Sequence, residues 1–190
     1  MTDDVPSSVS NHILGNRMVG QAEVKRVGAW KFPVYELRQD DDVLAQMGRG
    51  GWFKTYLGRG QRVVLPSGDA WTLRAIGNGG FTLPIIVDDQ RRRVTTAGTS
   101  HGTYGITGKD YACVLYPKEK TVFGRENKWI LRQFDDELAI VTRSPLSVFA
   151  SHPVHLGAVL MSFFLIRYGL PEELSLIHIS EPTRLWSGSR

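Results

Sequence analysis

His152 and His155 stand three residues apart just before an apolar run. On a helix that spacing sets two imidazoles on one face, which is how a metal site can begin. No Asp, Glu or Cys follows within the run to add a third ligand, so the pair reads as capping or surface histidines and no metal is expected. His101 has Ser100 beside it, but adjacent residues rarely make a nucleophile and base, and no G-x-S-x-G elbow surrounds them. The single cysteine, Cys113, sits in the apolar run Tyr111–Tyr116 and reads as a small buried hydrophobe. One cysteine can form neither an intrachain disulfide nor a thiolate cage, and it points to a reducing, cytoplasmic compartment.

Two glycine-rich stretches, Gly48–Gly51 and Gly77–Gly80, have the flavour of phosphate loops. Neither ends in Gly-Lys-Ser/Thr, and neither leads into a helix whose N-terminus could receive an anion, so both read as connections between strands. Asp40-Asp41-Asp42 lacks the spacing and closing Glu of a calcium loop and reads as turn chemistry. Arg91-Arg92-Arg93 is the cluster that could bind something anionic. On a strand, Arg91 and Arg93 would share one face and Arg92 the other, a patch sufficient only for weak, salt-sensitive adhesion to anionic lipid headgroups. With no nucleophile, acid-base pair or metal set to assemble, no enzymatic activity and no cofactor are expected.

The elements that must carry these residues are strands joined by tight turns. Val34–Arg38 breaks at Asp40–Asp42 and resumes as Val43–Met47, with alternation at period two on both sides. Val63–Leu65 turns at Pro66-Ser67-Gly68-Asp69 into Ala70–Arg74, where Pro presets φ and Gly supplies the positive φ. Leu83–Val87 with Arg91–Thr96, Tyr104–Thr107 with Tyr111–Tyr116, and Trp129–Phe134 with Glu137–Thr142 repeat the plan, rich in aromatic and β-branched residues. Trp52–Leu57 and Leu146–Ala150 are further strand candidates. A sheet of about ten to twelve antiparallel strands is large enough to curl and close, which removes its edges.

His155–Ile166 has Ser162 as its only polar member after His155, so no rotation gives a helix there a wet face. Gly169 and Pro171 supply stop signals, and a helix over Pro153–Tyr168 is expected, capped by Ser151 or His152. At ~1.5 Å per residue it falls short of the ~30 Å of a hydrocarbon core, so it should be buried in protein and not span a bilayer. The fold expected is therefore mainly β: a closed or nearly closed barrel round one apolar C-terminal helix.

Bulk properties agree with one such domain. The chain has 190 residues, 42% hydrophobic and 22% charged, with a net charge of +4. That excess is small and interspersed with acids, so a nucleic-acid partner is not expected. Residues 1–18 read as an arm without a secretory signal, 19–171 as the barrel domain, and 172–190 as a disordered tail. Within that tail, Leu174–Arg184 resembles the conceptual translation of a sequencing adapter and takes no part in the fold reasoning.

The strand, acidic turn, strand units (Tyr35–Met47, Ile85–Thr96, Trp129–Thr142) followed by the Leu156–Ile166 helix resemble the tubby C-terminal-like superfamily, which includes LURP-one-related proteins and phospholipid scramblases. Trp30–Leu37 and Tyr104–Tyr111 are also similar to segments of small actinobacterial proteins. The resemblance implies a barrel round a central helix, and a module that binds an anionic lipid headgroup or a protein partner. No binding motif of the superfamily can be matched to positions here, so it assigns no residue. The alternative is a scramblase-like, membrane-associated protein that inserts its C-terminal helix into lipid.

Overall fold

The computed structural model describes residues 16–28, 34–47, 61–76, 83–100, 103–118 and 127–168. Within them lie twelve strands: β1 Arg17–Val27, β2 Val34–Gln39, β3 Asp42–Met47, β4 Gln61–Val64, β5 Ala70–Ile76 and β6 Leu83–Asp88, then β7 Arg93–Ser100, β8 Thr103–Gly108, β9 Ala112–Pro117, β10 Lys128–Gln133, β11 Asp136–Thr142 and β12 Ser147–His155. One helix, α1 Leu156–Tyr168, follows. Each strand pairs antiparallel with its sequence neighbours, and β1 pairs with β12 to close the barrel. The expected barrel is therefore present, closed, with every described strand paired on both sides.

Alternation at period two divides each strand between interior and wall. Leu37, Ala45, Val63, Leu73, Ile106, Leu115, Leu131, Val141 and Val148 point inward and are almost fully buried. They form one core with α1, whose Leu156, Val159, Met161, Phe163 and Leu165 are buried on every side. The helix lies inside the barrel, packed most closely on β6, β7, β8 and β12. This is where an apolar cylinder without a wet face must go. Ser162 is fully buried but donates its hydroxyl to the Ala158 carbonyl at 2.8 Å, so the one polar side chain of the run is satisfied within the helix.

Three expectations need correction. The helix begins at Leu156, not Pro153, because Ser147–His155 continues as β12 to pair His155 with Arg17 and Val154 with Met18. Pro153 is tolerated there because the ladder is interrupted between Met18 and Gly20, where β12 carries extra residues and no N–H is required of it. Ser151 and His152 therefore cap nothing, being exposed on that strand. The barrel also begins at Arg17, two residues ahead of the expected boundary. The candidate strand Trp52–Leu57, both glycine-rich stretches, His101, and the tail lie outside the described residues.

The up-and-down order puts five tight turns at one end of the barrel: Asp40–Asp41, Pro66–Asp69, Asp89–Arg92, Lys109–Asp110 and Phe134–Asp135. The start of β1, the end of β12 and the first turn of α1 share that end, which we call the mouth.

Candidate binding site

At the mouth the chain must pass from a strand on the wall to a helix on the axis, and His155 is the residue that makes the change. The first helical N–H groups have no partner within a helix. Leu156 donates its N–H to the Asn16 carbonyl at 2.7 Å, and Gly157 donates to Nδ1 of His155 at 3.0 Å. The imidazole therefore acts as the N-terminal cap.

The imidazole ring is held between two aromatic rings. Trp71 stacks on one side, with centroids 5.8 Å apart and planes 8° from parallel, and Tyr111 on the other at 4.6 Å and 25°. Trp71 and Tyr111 come one or two residues into the chain after the mouth turns of the β4–β5 and β8–β9 hairpins. The Tyr111 hydroxyl bonds the fully buried Thr95 on β7. A Cβ on Gly157 would run into Thr95 Oγ1 and come within 2.8 Å of the Tyr111 hydroxyl, so the absence of a side chain there lets the cluster close.

Burial lowers the His155 pKa from its ordinary value, the nearby Arg17 charge adds to this, and Asp110 opposes it. The ring is thus neutral at neutral pH. With Nδ1 occupied as an acceptor, Nε2 carries the proton and is the donor. Tyr111 is pushed above its usual range by burial, against the effect of its hydrogen bond with Thr95, and stays protonated. Cys113, also buried, is pushed up to about 12 and is an inert thiol.

Above this floor lies a cavity of about 470 Å³, walled by the β4–β5, β6–β7 and β8–β9 turns and carrying Asp69, Asp88, Asp89, Arg92, Arg93, Lys109 and Asp110. A smaller cavity of about 100 Å³ adjoins it between His155, Cys113 and Leu138.

The arginine triplet stands at this mouth in an arrangement unlike the strand expected. Only Arg93 is in β7, while Arg91 and Arg92 belong to the turn, closed by Arg91 N–H to the Asp88 carbonyl and Asp88 N–H to the Arg92 carbonyl, both 2.9 Å. Arg91, at φ 61°, does not line the cavity; Arg92 and Arg93, expected on opposite faces, line it together. Arg92 is bound to Asp88 through Nε at 2.7 Å and through its backbone N–H at 2.8 Å. Desolvation pulls the Asp88 pKa upward, but these Arg92 contacts outweigh it and hold the carboxyl below its ordinary value.

Acidic residues are segregated along the barrel axis, whereas the described cations divide between its ends, with Arg17, Arg38, Arg91, Arg92, Arg93, Lys109 and Arg132 near the mouth. Asp40, Asp41, Asp42, Asp69, Asp88, Asp89, Asp110, Asp135, Asp136 and Glu137 gather at the mouth, near the positive end of the α1 dipole. At the far end the described acids are Glu23 and Glu36, against Lys25, Arg26, Arg62, Arg74, Lys118, Lys128 and Arg143. Register brings three of these together: Lys118 donates its N–H to the Lys128 carbonyl at 2.9 Å, and Arg143 donates to the adjacent Asn127 carbonyl at 2.8 Å.

His152 and His155 do not share a helix face, being on a strand and at a helix boundary, and among the described residues no three His, Cys, Asp or Glu side chains are placed to hold a metal. Among those residues, too, no helix is long and apolar enough to cross a membrane. Compared with known protein families, curated proteins and solved structures, the chain matches none.

Proposed function

We propose that the barrel is a non-catalytic binding module that adheres to anionic surfaces, lipid headgroups foremost, through the end opposite the mouth. What supports this reading is the scarcity of acids at that end, where Lys118, Lys128 and Arg143 are collected on adjoining strand ends, while the cations of the mouth stand among carboxylates. Each such cation near an anionic membrane contributes about 1 kcal/mol, so the collar gives reversible, salt-sensitive adhesion without an anchor. The arginine triplet is a poorer candidate than its sequence suggests, because Arg92 is spent on Asp88 and the turn stands among carboxylates. Kinship with tubby-like and LURP-one-related proteins, and a cytoplasmic location, belong to the same proposal. Helix insertion into lipid is disfavoured, since α1 would have to leave the core that now surrounds it.

Flotation of the full chain with phosphatidylserine-containing liposomes tests the reading. Binding at low salt should disappear when Lys118, Lys128 and Arg143 are changed together to Ser, and should survive the same change at Arg91, Arg92 and Arg93. A parent chain that does not float, or one whose binding is lost only with the triplet, defeats it.

A further inference from the structure

We infer that the cavity at the barrel mouth is a second, independent binding site, and that it takes a small zwitterion: a ligand carrying an ammonium group and a carboxylate or phosphate on one short skeleton. At about 470 Å³ the cavity is of the size that encloses small ligands. Its floor is pre-formed, because His155 is clamped between Trp71 and Tyr111 and fixed in rotation by the Gly157 N–H on Nδ1 at 3.0 Å. A held imidazole with its proton on Nε2 offers one directional donor to a ligand oxygen.

The charges of the wall decide the ligand class. A simple anion would meet Asp69, Asp88, Asp89 and Asp110; a simple cation would meet Arg92, Arg93 and Lys109. Arg92 and Asp88 neutralise each other at 2.7 Å, and Asp69 accepts from the Ser67 hydroxyl at 2.9 Å. Arg93, Lys109, Asp89 and Asp110 form none of the ion pairs found among the described residues. The Ser67 hydroxyl leaves the charge of Asp69 in place, so two cationic and three anionic side chains, all exposed, remain on the wall of one cavity, and a ligand with both signs of charge complements both sets. An amino-acid-like backbone and a phosphocholine-like headgroup share this chemistry.

Titration calorimetry on the full chain separates the sources and tests the class. The probes are alanyl-alanine, its N-acetyl form, its C-terminal amide, phosphocholine, choline and inorganic phosphate. At least one zwitterion, the dipeptide or phosphocholine, should bind at a single site. Its counterparts lacking either charge should bind at least about tenfold more weakly. Lys109→Ser and Asp110→Asn, both on an exposed turn, should each weaken the zwitterion while leaving the thermal midpoint unchanged. The inference is overturned if neither zwitterion binds at about 10 mM, or if a singly charged counterpart binds as well as its zwitterion.

Discussion

Gly68 and Arg91 occupy the same position in two neighbouring hairpins. In the β4–β5 turn, Leu65 accepts from Gly68 and donates to Asp69; in the β6–β7 turn, Asp88 accepts from Arg91 and donates to Arg92, all at 2.9 Å. Both residues are left-handed, Gly68 at φ 87° and Arg91 at φ 61°, but only glycine adopts that region without strain. Arg91 is exposed and forms none of the ion pairs found among the described residues. Arg91→Gly is therefore expected to stabilise the fold by about 1 kcal/mol, read as a rise in the urea midpoint, whereas Arg91→Val should lower it.

Gly157 is constrained by contact where Gly68 is constrained by φ. An added Cβ would strike Thr95 Oγ1 and crowd the Tyr111 hydroxyl at 2.8 Å, both in a packed interior. Gly157→Ala should cost about 1–3 kcal/mol although alanine is the better helix former. Adding Thr95→Ala removes the nearest atom, so the double variant should lose less than the two single losses together. A cycle measured by chemical denaturation with no coupling above about 0.5 kcal/mol would show that the contact does not matter.

The barrel was legible because its hairpins announce themselves twice, by alternation and by turn residues such as Pro66-Ser67-Gly68-Asp69. The buried helix was legible from Leu156–Ile166, which offers no face to water. β1 was not, because its inward positions are Met18, Gly20, Ala22 and Val24, too small a set, with a mid-strand glycine, to stand out from the polar Gln21, Glu23 and Lys25 between them. The floor of the mouth was missed for another reason. Trp71, Tyr111 and His155 are distant in sequence and meet only once the barrel closes, and the sole hint was that each sits at the boundary of a mouth turn or of the helix. For the arginine triplet, the strand expected from Arg91 begins only at Arg93, since a turn ending at Arg92 resets the alternation.

Phe163 tests the enclosure of α1. It is fully buried among inward-facing side chains of the wall. Phe163→Ala should destabilise by about 3–5 kcal/mol through lost burial and a residual cavity. A loss below about 1 kcal/mol in urea titrations would mean that the helix does not sit in a packed core.

Cys113 reports opening of the same core. It is 6% exposed, weakly bonded to the Ile106 carbonyl at 3.7 Å, and its thiol is pushed up to about 12 by burial. Reaction with a disulfide reagent at mildly alkaline pH should be slow for the folded chain and prompt in denaturant, because only the exposed thiol regains its ordinary acidity. Immediate stoichiometric labelling of the folded chain would contradict the burial.

His155 sets the pH dependence. Its pKa is lowered below the ordinary 6.5 by burial first and by Arg17 second, with Asp110 opposing, so the folded state resists a proton that the unfolded chain accepts near 6.5. Between those two values the unfolded state binds more protons, and stability must therefore fall as the pH drops through that window. The contribution is fully present above the unfolded value and is lost as the pH falls towards the folded one. Structure gives the same sign, because a protonated Nδ1 can no longer accept the Gly157 N–H. His155→Asn should be less stable near neutral pH, having lost the stack between Trp71 and Tyr111, yet its stability should vary less between about pH 7 and pH 5. Urea midpoints measured across that range for both chains decide the matter: parallel curves would place the acid sensitivity elsewhere than the mouth.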